Sequence, residues 1–158
     1  MSRKRDRRNR ISRPLRRKLG LPEKGPTGLS KAEERRVRLQ FGREGNEKGK
    51  EAERLFLKAW SDPRIYPAWL ISVRAATHTE DSQEKTDAVM ETSWEQKLRI
   101  QIKAQEVMRS HRRFCRLGIV LVQVLPDKDS LEEIQDKTLH SIERYRQYQR
   151  NVAGEQQS

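Results

Sequence analysis

The chain has 158 residues, 33% of them hydrophobic, which can fill one compact core with a tail to spare but not two full domains. Its 35 Lys and Arg outnumber 23 Asp and Glu, and the formal net charge of +12 points to a polyanionic partner, with nucleic acid favoured over an anionic membrane surface. No apolar run is long enough to span a bilayer, and the start lacks the apolar middle of a secretory signal. The single cysteine, Cys115, permits neither an internal disulfide nor a cysteine-based zinc cluster. These features fit an intracellular protein of the cytoplasm or nucleoid, although the Arg-rich, acid-poor start shares its composition with organelle transit peptides.

The charge is uneven along the chain. Residues 1–20 hold ten basic side chains, among them Arg7, Arg8, Arg16 and Arg17, against the single acid Asp6. Like charges at this density repel, and Ile11, Leu15 and Leu19 are too few to offset the entropy of ordering the backbone, so a free basic tail is expected. On a phosphate backbone the same charges release counterions, which makes affinity fall steeply with salt. Pro14, Pro22 and Pro26 with Gly20, Gly25 and Gly28 mark a linker, so residues 1–29 read as tail and linker.

An α/β domain is expected over residues 30–150. Ser30 with Glu33 forms a capping box that opens a short charged helix to about residue 39 or 41, which Gly42, Gly45 and Gly49 interrupt. Ala52, Leu55, Phe56, Ala59 and Trp60 then recur at helical spacing before Pro63 and Pro67. Residues 69–76 read as a strand, 77–86 as a polar loop, and 87–92 and 98–103 as two adjacent strands joined by a turn near residue 95.

Residues 105–116 suit a short helix ended by Gly118, and 119–125 form an apolar run of strand length, so this strand, helix, strand order predicts a parallel crossover. A second capping box, Ser130 with Glu133, opens a long helix striped by Leu131, Ile134, Thr138, Ile142 and Tyr145. Residues 151–158 have no sequence reason to be ordered.

The most informative local pattern is the alternation of Leu98, Ile100 and Ile102 with Arg99, Gln101 and Lys103. One face of that strand is apolar and the other presents an amide and an ammonium. With the turn near residue 95, Asp87 lies across from residue 102 or 103, and a carboxylate, an amide oxygen and an ammonium meet at one sheet end. Phosphodiester hydrolysis asks for this chemistry: hard oxygen ligands for a divalent metal, and positive charge where the transition state becomes more negative. The bland alternative is solvated charge on a half-buried strand. Glu53 completes such a site from the preceding helix if it faces inward, and Glu51 competes for that role.

Lys48-Gly49-Lys50-Glu51-Ala52-Glu53-Arg54 resembles the helical start of the archaeal-type Holliday junction resolvases, within the PD-(D/E)xK nuclease superfamily. Val73-Arg74-Ala75-Ala76 is similar to the short strand that follows, Thr86-Asp87-Ala88-Val89 to the PD half motif, and Ile100-Gln101-Ile102-Lys103-Ala104 to the strand ending in ExK. The resemblance covers about residues 48 to 125. It implies a restriction-endonuclease-like α/β fold with a mixed β-sheet flanked by helices, and a DNA endonuclease using Mg2+ or Mn2+ that often dimerises.

By the same resemblance Glu53, Asp87 and Gln101 hold metal, Lys103 positions or activates water and stabilises charge, and Arg74 lies near the substrate phosphate. Thr86 stands where the family has proline, and Gln101 where it has Asp or Glu. An amide oxygen ligates a hard cation without negative charge, so metal affinity falls unless Glu53, Glu91 or substrate phosphate compensates.

Arg109, Arg112, Arg113 and Arg116 form a basic cluster suited either to a nucleic-acid backbone or to a solvated helix face. His78 and His111 do not make a zinc pair, and Trp60, Trp69 and Trp94 read as packing residues. No Gly-rich phosphate loop with its Lys and Ser or Thr occurs, so a nucleotide-driven motor is not supported. The competing function is a non-enzymatic nucleic-acid-binding protein, such as a ribonucleoprotein component, on a nuclease-like scaffold, and a structural adaptor with a basic tail is a third class.

Overall fold

The computed structural model describes residues 11–23, 25–105 and 111–157. The chain divides into two compact units, one up to Glu47 and one from Lys48. The break expected at residues 29 and 30 thus falls inside the first unit, and the observed division lies within a helix.

In the first unit, α1 (Arg13–Lys18) begins with Pro14 in its first turn, where the missing N–H costs nothing. Part of the segment expected as tail, Arg13–Lys18, is helical, and the contacts around it are local. Ile11 and Leu15 are buried, and the Arg16 guanidinium donates to the carbonyls of Ile11, Pro22 and Gly25, tying the linker to the helix. Arg7 and Arg8 lie outside the described residues. Lys18 pairs with Glu44 at 3.2 Å and sits over the Phe41 ring.

The helix α2 (Lys31–Ala59) is continuous where two helices were expected. Its N-terminus carries the reciprocal bonds of the Ser30 and Glu33 capping box. Gly42, Gly45 and Gly49 do not end it because none has the positive φ of a C-terminal glycine cap. Each weakens a helix by about 1 kcal/mol relative to Ala, but interrupts it only where the backbone turns left-handed.

The second unit is built on an open four-stranded sheet in the order β1 (Leu70–Ala75), β2 (Ala88–Thr92), β3 (Leu98–Lys103), β4 (Ile119–Gln123). The first two pairings are antiparallel and β3 with β4 is parallel, as the predicted crossover requires. Helices α3 (His78–Glu84), α4 (His111–Arg116) and α5 (Leu131–Gln157) complete a mixed α/β architecture. No described helix is long and apolar enough to cross a membrane.

Two segments differ from expectation. Residues 78–84 form α3 rather than loop, because Thr77 and Glu80 make a third capping box and Lys85 closes the helix at φ 52. Residues 151–157 continue α5, and Val152 is half-buried. No proline interrupts this stretch, and extending an established helix requires no new nucleation.

Leu98, Ile100 and Ile102 of β3, with Met90, Val120 and Val122 beside them, pack against Phe56 of α2, Trp60 just beyond its end, and Ile134, Ile142 and Tyr145 of α5. Several polar groups inside this core are bonded, whereas Trp94 Nε1, packed against it, has no hydrogen-bond partner among the described residues. Trp60 Nε1 donates to Thr138 Oγ1, Thr138 Oγ1 donates to the Ile134 carbonyl, and Gln135 Nε2 donates to the Ala59 carbonyl at the end of α2. Gly118, at φ +72, ends α4; a Cβ there would stand 2.9 Å from the Arg99 Nη2 that donates to the Leu117 carbonyl. Trp69 and Trp94 pack on each other with ring centroids 6.3 Å apart, which agrees with a packing role.

Phe56 is fully buried on the α2 face that covers the sheet. Phe56→Ala is expected to lower stability by about 3–5 kcal/mol in urea unfolding, since lost transfer energy and the residual cavity add. A loss below about 1 kcal/mol would show that α2 does not cover this core in solution.

Candidate functional site

Ala88 stands opposite Ile100 and Met90 opposite Leu98, so Asp87 falls opposite Gln101 rather than residue 102 or 103. The turn is centred one residue earlier than expected, at Trp94. Thr92 sets it, with its N–H donating to the Glu95 carbonyl and its Oγ1 accepting from the Glu95 N–H. The side chains of β3 alternate between faces, although Gln101 is itself buried, and Asp87, Gln101 and Lys103 share the face opposite the core aliphatics.

Asp87 Oδ2 accepts two hydrogen bonds, from Gln101 Nε2 at 2.7 Å and from the Ile102 backbone N–H at 2.6 Å. Gln101 is buried, and its amide nitrogen, not its oxygen, faces the carboxylate. Burial raises the Asp87 pKa above its ordinary value; the Ile102 N–H opposes the rise, Asp81 adds to it, and Lys103 counters it.

Glu53 belongs to the same electrostatic group. Its pKa is raised by burial first, then by Asp87 and Asp81, while Lys50 acts in the opposite sense. Glu51, the competing assignment, instead pairs with Arg54 at 2.7 Å on the exposed side of α2. The inward carboxylate of the helix is therefore Glu53.

Thr86 has a local role that a proline at this position could not fill. It is fully buried, and its N–H donates to the Glu80 carbonyl at 3.1 Å, a bond that proline cannot make.

Beside this group lies a cavity of about 360 Å³ lined by Asp81, Lys85, Gln101, Lys103, Arg113 and Phe114. Arg113 thus joins the site, whereas Arg112 and Arg116 line a different cleft. Arg109 lies outside the described residues. Arg74 is engaged elsewhere: its guanidinium holds both oxygens of buried Glu80, at 2.6 and 3.0 Å. Lys97 pairs with Glu80 and Glu84, and Glu91 accepts from Ser72 Oγ. Arg16 is spent on backbone carbonyls and Arg17 pairs with Glu23 at 2.6 Å.

From the sequence, Glu80, Asp81 and Glu84 are open between metal binding and a solvated loop, and the structure gives two of them defined surroundings. Glu80 is a charged hub whose pKa is held well below the carboxylate range by Arg74, the Thr77 N–H and Lys97. The signal was present as Thr77 followed three residues later by Glu80, the same capping signature recognised at Ser30 and Ser130. Asp81 then lies one residue beyond Glu80 on α3 and adds its field to both Glu53 and Asp87.

Among the described residues, no three His, Cys, Asp or Glu side chains come together as a metal centre. The oxygen donors near Asp87 are Glu53, Asp87 itself and the Gln101 carbonyl once its amide is turned. Turning it sets oxygen against oxygen at Asp87, which is tolerable only with a cation between them. A divalent ion placed there would offset the negative charge whose burial, first, and whose carboxylate neighbours, second, raise the two pKa values.

No protein-family model matches the chain, and no curated protein or solved structure matches it.

The raised pKa of Glu53 has a defined effect on stability. Between its unfolded and folded values the native protein binds more protons, so stability falls as pH rises through that window, and the full penalty stays above it. In chelator, Glu53→Gln is expected to raise the thermal midpoint at about pH 7. The rise should shrink as pH drops into and below the ordinary glutamate range. A pH-independent change would remove charge as its origin.

Proposed function

We propose that the protein is a metal-dependent nuclease that hydrolyses phosphodiester bonds in nucleic acid, DNA above RNA, on a restriction-endonuclease-like sheet. The observation that carries this reading is the meeting of Asp87, Gln101 and Lys103 on one sheet face within the electrostatic reach of Glu53. The sequence resemblance to PD-(D/E)xK nucleases, and within them to Holliday junction resolvases, supports the same residues in the same roles and extends the proposal to branched DNA and to a homodimer.

Asp87 and Glu53 would hold Mg2+ or Mn2+, with Gln101 as a neutral third donor. When bound, the ion supplies Lewis acidity and lowers the pKa of a water. The chain's own residues do the rest. Lys103 brings an ammonium to the phosphate, where its charge matters most as the phosphorus takes on the attacking oxygen. Arg113 and Lys85, on the cavity wall, are suited to hold flanking phosphates. The Ile102 N–H keeps Asp87 ionisable despite burial and fixes its direction.

A second reading, a nucleic-acid-binding protein on a nuclease-like scaffold, is favoured by one specific contact. Gln101 Nε2 occupies the Asp87 oxygen that would otherwise face a cation. The two readings separate on metal-dependent cleavage.

Asp87→Asn and Lys103→Ala are each expected to reduce single-turnover cleavage about 100-fold or more, with substrate affinity changed less than about threefold. Junction, duplex, single-stranded and RNA substrates with Mg2+, Mn2+ or chelator give the assay. Unchanged cleavage in both variants would sink the assignment, and the absence of metal-dependent product on every substrate selects the scaffold.

Gln101→Glu gives an independent check. It sets two carboxylates together, so the thermal midpoint should fall in chelator and recover with Mn2+, and the metal titration should shift to lower concentration. A variant whose stability ignores the metal would show that residue 101 does not face a cation.

A further inference from the structure

The helix α4 divides its basic side chains between two cavities. Arg113, Phe114 and Leu117 border the cavity beside Asp87, while His111, Arg112, Cys115 and Arg116 border a second cleft of about 580 Å³ whose other wall is α5. Among the described residues, none lines both. The second cleft has the size of a small-ligand site.

Its charge is unbalanced. Arg112 and Arg116 stand one helical turn apart, a spacing at which like charges destabilise a helix, and Arg144 of α5 lines the same cleft. None of the three makes an ion pair among the described residues, whereas Arg17, Arg54, Arg64 and Arg74 all do. Among the described residues one carboxylate, Glu155, lines the cleft, and it is engaged in an interaction of its own.

The imidazole of His111 senses the resulting field: its pKa is lowered by burial, then by Arg144 and His140. His111 Nε2 is buried without a hydrogen bond among the described residues, and Nδ1 lies 3.4 Å from Cys115 Sγ. Tyr148 adds an aromatic ring with a hydroxyl. A cluster of cations that repel one another is stabilised by an anion, and guanidinium groups match phosphate oxygens by paired N–H bonds.

We propose that the α4–α5 cleft is a phosphate-binding site, separate from the Asp87 cavity, in which Arg112, Arg116 and Arg144 grip a phosphate. That phosphate is either one group of a nucleic-acid backbone or a free anion. On a backbone, the cleft anchors the strand and adds affinity without taking part in bond cleavage. The site does not depend on nuclease activity, so it stands or falls independently of the Asp87 assignment.

The test uses the full chain in chelator, titrated with inorganic phosphate by calorimetry and with a labelled single-stranded decanucleotide by anisotropy. Arg112→Gln with Arg116→Gln, and separately Arg144→Gln, alter exposed side chains and leave the core intact. Lys58→Gln with Lys128→Gln removes the same charge as the double variant from exposed positions outside the cleft and serves as control.

The cleft variants should weaken binding about tenfold or more, and the control less than about twofold. Loss for the oligonucleotide alone identifies a backbone anchor, and loss for inorganic phosphate as well identifies a pocket that also takes the free anion. Equal losses in cleft and control variants, or no binding of either ligand by the wild type, overturn the proposal. So does an Asp87→Asn variant that loses binding as strongly as the cleft variants, because the phosphate would then belong to the other cavity.

Discussion

The burial of Leu98, Ile100 and Ile102 governs the rest of the second unit. A strand alternates its side chains between faces, so committing these three to the core commits Arg99, Gln101 and Lys103 to the opposite face. A slip of one residue would exchange the two sets, exposing three aliphatics and burying two cations. The same packing brings α2 against the sheet through Ala52, Phe56 and Ala59, and with that helix comes Glu53. The polar group is thus a consequence of core packing, positioned by residues that take no part in its chemistry.

Within that group the central feature is a partly buried carboxylate held by a backbone N–H and a neutral amide. Glutamine serves Asp87 in a way a second carboxylate does not. It satisfies the buried oxygen with a donor and adds no repulsion, so the arrangement is stable without a cation. Under the proposed nuclease reading, a cation would have to compete with this internal hydrogen bond for the same oxygen. Glu53 and Asp81 act in the opposite direction, since their negative fields at Asp87 are relieved by positive charge from outside.

The α3 helix supplies a second polar system that is fully paired. Glu80, buried and bound by Arg74, Lys97 and the Thr77 N–H, ties β1, α3 and the turn before β3 together. Removing one partner would strand charge in a buried position, which marks this network as structural. The contrast with α4 is instructive. Its arginines have no such acid partners among the described residues, and the turn of the helix sends Arg113 to one cavity and Arg112 with Arg116 to another.

Local rules in the sequence were sufficient for the four strands, the crossover into a parallel β4, both capping boxes and the apolar stripes of α2 and α5, because each rests on spacing within a few residues. They also brought Asp87, Gln101 and Lys103 together, since alternation on two adjacent strands leaves few registers. The precise register required the Thr92 turn. The continuity of α2 through three glycines, the burial of Ile11 and Leu15 beside the Arg16 bonds, and the extension of α5 were decided by backbone conformation and local contacts that residue type alone does not reveal. The same is true of the inward direction of Glu53, the engagement of Arg74 by Glu80 and the separation of the α4 arginines. Each depends on which face of a helix meets its neighbours, a quantity that periodicity constrains for apolar residues and leaves open for charged ones.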